Sequence, residues 1–531
     1  MLNRFLSYRT VCTVSFLVAI GVCVFVPASQ VHAQQCQAPF EMLTKLHHPE
    51  PGSFTVWSAV YGEPRKEEEF ISIVRKGEGV LVAGEMRPMP GVSPSLMLVH
   101  FDRRGRKVWD VYYALGGLKN VIKLLPYKDG YVVFANRKKV GGQENVWIGF
   151  FDQEGKLKSH KSVKDKKFHL HATDVVRSTD GGWAVSMTVE RLGHVGAGGL
   201  QKYAAIYLLD DMGAERASRA YVLGTNNEIL SLSVSKFDGG QRGYIATGYF
   251  EIGGGQKVGW VVRLSDEISL VWQREFRRGK LAKLEKGVGY KNKDIIVLGD
   301  VDPVIKGPTG GWLMRLDGDN GAIKWQRYYY GETGHHDYEA QGLYVNDDGL
   351  ITSMMMARSS KGKEASSIMV DDAEGQGGDD GALEYMSYAH VLTLSPRGIT
   401  LNGDSYYHGE GVSVSQMIEG HKGYRMMAGY SLMPAEDIFT KMEKKHHDNP
   451  LKEEGDVNLP DAPLSSKTKK GLAMLKKKIK HQDHHDEGEQ VDGQQEVESA
   501  KQHDEDVGLT RNGWVFLGDS PDTYSDPCDK K

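Results

Sequence analysis

Residues 295–331 read IIVLGDVDPVIKGPTGGWLMRLDGDNGAIKWQRYYYG, and this stretch decides the fold. It contains three short runs of strand-forming residues, separated by a Gly-rich turn and an acidic turn, and the last run carries Trp325 and ends in Tyr-Gly. With one more strand before it, the unit is about fifty residues long. A repeat of this length with four short strands per copy is typical of a β-propeller blade.

Copies of the second strand of this unit recur along the chain. Besides residues 295–299 they are residues 79–84 (GVLVAG), 130–135 (GYVVFA), 182–187 (GWAVSM), 243–248 (GYIATG), 349–354 (GLITSM) and 423–429 (GYRMMAG). These seven copies predict an all-β protein, a seven-bladed β-propeller, whose blades occupy residues 54–433 and a closing strand near the C-terminus. Weak net charge, formally −4, argues against binding to nucleic acid.

The nine tryptophans all fall inside the repeat. We assign Trp147, Trp260, Trp312 and Trp514 to third strands, Trp57, Trp109, Trp272 and Trp325 to fourth strands, and Trp183 to the start of a second strand. Large apolar side chains fill the space between stacked sheets, so we expect these rings to pack between blades.

The first and last repeats are both incomplete. Residues 54–62 (FTVWSAVYG) resemble a fourth strand, and residues 512–519 end at a third strand, so together they make one blade. We therefore expect residues 54–62 to pair beside residues 513–518 in the seventh blade. Closing the ring with strands from both chain ends leaves no blade incomplete.

The N-terminal residues 1–33 have the pattern of a signal peptide. Arg4 and Arg9 precede an apolar run over residues 11–26, and Ala33 ends the segment. The protein is therefore expected to be exported, to a periplasm or to the extracellular space. An uncleaved anchor is the alternative, because a mostly apolar run of sixteen residues is near the lower limit for crossing a bilayer.

Two of the four cysteines lie in this leader, which leaves Cys36 in an N-terminal extension (residues 34–53) and Cys528 in the tail that follows the closing strand (residues 509–531). If ring closure brings the chain ends together, these two residues are natural disulfide partners in an oxidising compartment. Two unpaired thiols are the alternative.

Residues 434–508 interrupt the seventh blade. From residue 440 to 508 the chain has no Phe, Trp or Tyr and is rich in charged residues and Gln, so we expect a long disordered insertion. A basic amphipathic turn between Lys467 and Lys480 could contact a membrane surface or an acidic partner, or stay solvated. Two segments are weak candidates for metal binding. The insertion holds His446, His447, His481, His484 and His485, which are weak candidates for Zn²⁺. The acidic residues 371–380 are a weak candidate for Ca²⁺. No resident cofactor is predicted.

One polar cluster lies where propellers commonly bind ligands, between a fourth strand and the next inner strand. It comprises His335, His336, Asp337 and Glu339, and its counterparts in other repeats are Glu69, Asn120, His171, Glu228 and Glu410. Together they predict a mostly acidic ring at one mouth of the central channel, able to take a cation, a sugar or a basic peptide. Solvated turn residues would give the same pattern.

Residues 316–326 (LDGDNGAIKWQ) resemble the tryptophan-docking repeat of quinoprotein-type propellers, among them secreted bacterial proteins. The resemblance implies the scaffold. That family's usual pattern also has a vicinal cysteine pair, a Ca²⁺ site and a catalytic Asp, but this chain has no adjacent cysteines, no Asp that can be matched to the catalytic one and no CxxCH haem motif.

No GxSxG, HExxH, Walker or Rossmann motif is present in a suitable context. Two hypotheses follow. The first is a monomeric, non-enzymatic scaffold that binds a protein or a glycan. The alternative is an enzyme with its site at the channel mouth, either a degenerate quinoprotein-like oxidoreductase or a hydrolase.

The disulfide can be tested by peptide mapping of the mature protein without reduction. We expect one cross-linked pair that joins the peptides containing Cys36 and Cys528. Reduction should then lower the free energy of unfolding by roughly 4–5 kcal/mol, because the bridge closes a very long loop in the unfolded chain. Free thiols at both positions would contradict the pairing.

Overall fold

The computed structural model describes residues 39–46, 55–62, 66–88, 92–191, 202–237, 240–302, 309–331, 336–359, 387–408, 411–420, 424–434 and 509–518. These residues form 29 β-strands and two single-turn 3-10 helices, Gly253–Gly255 and Lys291–Lys293, so the all-β class is confirmed. No helix among them reaches the length and hydrophobicity that a membrane span requires. The predicted leader, Cys36, Cys528, the histidine candidates for Zn²⁺ and residues 371–380 lie outside the described residues.

Seven four-stranded antiparallel units form the ring, and blade V carries one additional strand. The chain begins with β1 (Glu41–Leu46) and β2 (Thr55–Tyr61). Blade I contains β3 (Glu67–Lys76), β4 (Gly79–Arg87), β5 (Ser95–Phe101) and β6 (Lys107–Tyr113); blade II contains β7 (Leu118–Tyr127), β8 (Gly130–Lys138), β9 (Glu144–Phe151) and β10 (Leu157–Val163); blade III contains β11 (Phe168–Arg177), β12 (Trp183–Arg191), β13 (Lys202–Leu209) and β14 (Glu215–Tyr221).

The remaining blades follow the same plan. Blade IV contains β15 (Asn227–Lys236), β16 (Arg242–Ile252), β17 (Gln256–Ser265) and β18 (Leu270–Phe276); blade V contains β19 (Ala282–Gly289), β20 (Ile295–Val301), β21 (Gly310–Leu316) and β22 (Ile323–Gly331). Blade VI contains β23 (His336–Val345), β24 (Ile351–Ser359), β25 (Ser387–Leu394) and β26 (Thr400–Tyr406); blade VII contains β27 (Gly411–Glu419), β28 (Arg425–Pro434) and β29 (Leu509–Gly518), with β2 as its fourth strand.

The two chain ends close blade VII as predicted. β2 runs antiparallel to β29, with Val60 opposite Trp514 and Tyr61 opposite Gly513. All seven predicted second strands and all nine tryptophans lie in the strands assigned to them. Residues 435–508, which connect β28 to β29, coincide with the predicted insertion and lie outside the described residues.

The N-terminal extension contains a strand that the sequence analysis did not assign. β1 pairs in parallel with β22 and becomes the outermost strand of blade V, where Glu41 lies opposite Gln326. The buried Arg327 fixes this strand by donating from Nη1 to the Pro39 carbonyl at 3.0 Å. Cys36 therefore precedes a strand of blade V, whereas β29 is in blade VII. The predicted disulfide now requires the residues after Gly518 to reach two blades away.

The hydrophobic core is divided among the interfaces between blades. The described residues contain seven buried apolar clusters, and each one joins side chains of two neighbouring blades. Six of the clusters contain a buried tryptophan, namely Trp147, Trp183, Trp260, Trp312, Trp325 and Trp514. Phe70 and Phe101 fill the seventh interface, between blades VII and I. The expected packing of tryptophans between blades is thus confirmed for these six.

Fourth-strand tryptophans also contact the acidic turn of the next blade. Trp272 Nε1 donates to the carbonyl of Gly318 at 2.8 Å, and its ring lies against Gly321 in the same turn. Gly321 has φ +72°, and an added Cβ would come within 2.9 Å of the indole. The turn therefore needs glycine there both for its backbone conformation and for the space that the ring occupies.

The inner strand of each blade faces the central channel and has no strand partner on that side, so its inward N–H groups need other acceptors. Side chains of the preceding blade supply several of them. Val121 N–H donates to Glu85 Oε1 at 2.7 Å, Ala172 N–H to Asn136 Oδ1 at 2.8 Å, and Ala340 N–H to Asp300 Oδ1 at 2.6 Å. The donor in each case directly precedes a β-bulge of the inner strand, so these contacts join equivalent points of successive blades.

A second set of contacts lies three residues further along the inner strands. Leu124 N–H donates to Ser72 Oγ at 3.0 Å, Leu232 N–H to Asp174 Oδ2 at 2.9 Å, and Ile73 N–H to Gln416 Oε1 at 2.8 Å. Each acceptor again belongs to the preceding blade. The polar side chains near the channel are therefore in part structural, because they hold the ring of inner strands together.

Replacement of Asn136 tests these contacts. Asn136 is fully buried, and it both accepts from the Ala172 N–H and donates to the Ala172 carbonyl at 2.9 Å. N136A should lower the free energy of unfolding by about 2–4 kcal/mol, because two buried backbone groups lose their partner. Q273A, at an exposed position of β18, should change it by less than about 0.5 kcal/mol in the same denaturant titration. Equal stabilities of the two variants would contradict the proposed role.

Candidate ligand-binding site

The channel at the centre of the ring contains a cavity of about 470 Å³ that is lined by residues from all seven inner strands. A second cavity, of about 480 Å³, lies beside it near the N-terminal ends of the inner strands of blades II to V. The two cavities share Ile122 and Thr173 and are therefore neighbours. We call the first the channel cavity and the second the mouth cavity.

The β-bulges determine which residues reach these cavities. Every inner strand has a bulge at the equivalent position, where one residue has no partner in the second strand of its blade. The bulged residues are Ile71, Ile122, Thr173, Leu230, Glu285, Gln341 and Ser415, and each of them lines one of the two cavities. A bulge bends the strand and turns the extra side chain away from the sheet.

Five residues of the predicted ring occupy one equivalent position, two residues before the bulge. These are Glu69, Asn120, His171, Glu228 and Glu339, and blades V and VII have Lys283 and Ser413 there. These residues thus share one strand position around the channel, while their role as a binding ring stays a prediction. Glu410, the remaining predicted counterpart, lies outside the described residues.

The structure brings only three of these residues into one cavity. Asn120, His171 and Glu228 line the mouth cavity. Glu339 forms an ion pair with Arg358 at 3.1 Å, and Asp337 accepts the N–H of Thr309 at 2.9 Å. His335 lies outside the described residues, and His336 begins β23, so the cluster His335 to Glu339 is not described as one site.

The sequence analysis missed several residues of the mouth cavity. Glu144, Thr188, Glu190 and Lys202 come from second and third strands, and Glu285 is the bulged residue of blade V. A comparison of repeats along the inner strands cannot find the first four, because their proximity depends on the register between strands. Aligning the blades by their bulges would have found Glu285 in blade V. The bulge, however, is defined by the pairing of β19 with β20, which the sequence alone does not give.

A charged network crosses one wall of the mouth cavity. Glu144 Oε1 accepts from His171 Nδ1 at 2.5 Å, and Glu144 Oε2 accepts from Lys119 Nζ at 3.0 Å. Burial of Glu144 by itself would raise its pKa, but the hydrogen bonds from His171 and Lys119 and their charges lower the pKa to about 2. Glu144 is therefore an anion at all ordinary pH values.

The other ring nitrogen of His171, Nε2, lies near the buried Asn136. Since Nδ1 donates to Glu144, the neutral ring has Nε2 as its acceptor nitrogen. Asn136 Nδ2 lies 3.4 Å from Nε2, but it has shorter contacts with the Ala172 carbonyl at 2.9 Å and Asn120 Oδ1 at 3.2 Å. The two amide hydrogens serve those two acceptors, so Asn136 gives the Nε2 lone pair at most a long, weak hydrogen bond.

Three other carboxyl groups, in inner and second strands, have raised pKa values. Burial raises the pKa of Asp300 well above its ordinary value, and the nearby Glu285 carboxylate raises it further, against the effect of the Ala340 N–H. Burial likewise raises the pKa values of Glu69 and Glu85. Burial therefore disfavours the charged forms of Asp300, Glu69 and Glu85.

The described residues contain no group of three or more His, Cys, Asp or Glu side chains placed to hold a metal ion. Zn²⁺ binding by His446, His447, His481, His484 and His485 stays a prediction, since these residues are outside the described part of the chain.

Comparison with known proteins gives matches of low similarity among solved structures. No family model and no curated protein matches the sequence. Among solved structures, the periplasmic gluconolactonase of Pseudomonas aeruginosa aligns at 11% identity over 70% of this chain and 92% of its own, with a TM-score of 0.41. The β-propeller domain of the trilobed protease from Pyrococcus furiosus aligns at 9% identity over 71% and 91%, with a TM-score of 0.36.

The α-L-arabinanase of Penicillium chrysogenum, solved with arabinobiose, aligns at 11% identity over 57% of this chain and 94% of its own, with a TM-score of 0.37. At such identities and scores, the activities of these proteins say nothing about this one. Its own strand order defines a seven-bladed β-propeller, with a polar cavity at one mouth of the channel.

The charge network predicts a pH dependence of stability. Because the pKa of Glu144 falls from 4.5 to about 2 on folding, its ionisation stabilises the folded protein above about pH 5, and this contribution is lost as the pH falls toward 2. The difference in free energy of unfolding between wild type and E144Q should therefore be largest near pH 6 and shrink on acidification. E267Q, an exposed control, should show no such trend, and a constant difference for E144Q would contradict the assignment.

Proposed function

We propose that this protein is an exported, non-enzymatic β-propeller that binds a positively charged segment of a partner protein at the mouth cavity. The observation that carries the proposal is the charge of that cavity. Four carboxylates, Glu144, Glu190, Glu228 and Glu285, line it together with two lysines, so its formal charge is negative when the histidines are neutral. A negatively charged concave surface attracts and orients a cationic partner.

The lining favours a protein segment over a small ligand or a glycan. Small-molecule pockets are mostly apolar and aromatic, with a few polar groups for orientation. The residues described around the mouth cavity include no Phe, Tyr or Trp, and most of them are charged or polar. A lysine or arginine side chain can form ion pairs here, whereas an uncharged ring would gain little from contacts with this surface.

Not every carboxylate is available to a partner. Glu144 is ion-paired with Lys119 and hydrogen-bonded to His171, and Glu285 is paired with Lys283. Lys202 lies directly opposite Glu190 on the neighbouring strand. Glu228, which is at the ring position of blade IV, is hydrogen-bonded to Tyr249 but has no cation within ion-pairing distance in the described part of the chain, so we take it as the main anchor.

A buried hydroxyl supports ligand binding at the same place. Thr188 lines the cavity, is 6% exposed, and has a buried hydroxyl without a hydrogen-bond partner among the described residues. Buried polar groups are nearly always hydrogen-bonded in folded proteins, and those that lack a protein partner commonly bond to water or to a bound ligand.

A hydrolase is the second candidate, and the Glu144–His171 pair is the observation in its favour. An imidazole that is oriented by a carboxylate is a common general base. In the described part of the chain, however, Nε2 of His171 contacts Asn136 and no hydroxyl or thiol. The pair thus has no nucleophile in place, and we put binding first. The quinoprotein-like oxidoreductase has only the repeat pattern in its support.

Calorimetric titration of the mature protein with an eight-residue peptide of alternating lysine and glycine tests the binding. The peptide should bind in low salt, and a glutamate-glycine peptide of the same length should not. E228Q should weaken the affinity about three- to tenfold, because one attractive charge is lost. E267Q should bind like wild type. Equal affinities of E228Q, E267Q and wild type would reject the mouth cavity as the site.

A further inference from the structure

The channel cavity differs from the mouth cavity in the sign of its charge. Lys123, Arg177 and Lys286 line it, and Asp174 is the acidic residue among its described lining residues. Arg177 is ion-paired with Asp211 at 2.6 Å outside this lining, so the unpaired cation is Lys286. We propose that this cavity is a separate binding site for an oxyanion, either a carboxylate or a phosphate group of a ligand. This inference does not depend on the proposed function of the mouth cavity.

Asp174 does not offset the positive charge of the whole cavity, because both of its carboxylate oxygens are already bonded. Oδ1 accepts from Lys123 Nζ at 2.6 Å and from the Val175 N–H at 2.8 Å. Oδ2 accepts from the Leu232 N–H at 2.9 Å. Asp174 thus forms an ion pair with Lys123 and a hydrogen bond with the inner strand of blade IV. Its carboxylate is therefore not available to pair with Lys286.

Lys286 is the central residue of the proposed site. It directly follows the bulge of β19, is partly buried, and forms no ion pair or hydrogen bond among the described residues. An ammonium group in a partly enclosed cavity loses hydration and benefits strongly from an anionic partner. The surrounding apolar lining, which includes Ile71, Val288 and Leu343, strengthens that attraction because it lowers the local dielectric constant.

Gln416 adds a neutral donor whose orientation is fixed. Its Oε1 accepts from the Ile73 N–H at 2.8 Å and from Ser72 Oγ at 2.7 Å, and a backbone N–H can only donate, so the oxygen must be the atom at that position. The Nε2 hydrogens therefore point away from Ser72 and Ile73. Gln416 lines the channel cavity, and its amide can donate to an anion there.

Ser233 also lines the channel cavity, and its buried hydroxyl has no hydrogen-bond partner among the described residues. A hydroxyl can donate to an oxyanion, as the ammonium of Lys286 and the amide of Gln416 can. Three donor types from blades IV, V and VII thus face one cavity whose acidic residue is fully engaged. A volume of about 470 Å³ leaves room for a carboxylate or phosphate together with part of the group that carries it.

Titration of the mature protein with inorganic phosphate, and separately with acetate, tests the site. Wild type should bind at least one of the two anions, and the tighter one identifies the preferred group. K286M should weaken this binding at least tenfold, which corresponds to about 1.4 kcal/mol. K286R, which keeps the charge, should retain most of it, and K156M, at an exposed lysine in a turn of blade II, should bind like wild type.

Binding of neither anion by wild type, or equal affinities of wild type and K286M, would overturn the proposal. Thermal unfolding of each variant without anion controls for misfolding, and K286R covers the case in which K286M does not fold. E228Q should leave anion binding unchanged, because Glu228 belongs to the mouth cavity. Loss of peptide binding with anion binding intact, or the reverse, therefore separates the failure of one proposed site from that of the other.

Discussion

Hydrogen bonding at the inner edges of the blades is the constraint on which the rest of the structure depends. A blade is a small sheet with two edges, and its inner edge faces a channel too narrow for another strand. The exposed N–H groups of that edge are satisfied by side chains of the preceding blade, as with Glu85, Asn136 and Asp300. These contacts join equivalent points of successive blades, directly before the bulged residues.

The same constraint limits what the channel can do. A polar residue near the axis is either committed to the next blade or available to a ligand, and residue type alone does not distinguish the two. Asp174 is committed through both oxygens, whereas Glu228 and Lys286 have no charged partner in the described part of the chain. The opposite charges of the two neighbouring cavities are found only when the charged residues that already pair with other protein groups are left out of the comparison.

Much of the fold could be predicted from the sequence, because a propeller repeats one local pattern seven times. The second strands, the tryptophan positions and the closure of blade VII by β2 all depend on short-range alternation and repeat order. β1 could not be found in this way, since it lies outside the repeat and owes its place to pairing with β22. The ring position of Glu69, Asn120, His171, Glu228 and Glu339 was found, but the residues contributed by second and third strands required the strand register.

The placement of β1 and β2 affects how the protein is made. Both strands are synthesised first, yet β1 must wait for β22 and β2 must wait for β29, near the other end of the chain. At ordinary elongation rates the second delay is roughly 20 to 90 seconds. The first delay ends when β22 is made, but β2 lacks its partner for the whole second delay, so the growing chain is open to pairing with other chains and needs protection until its last strand is complete.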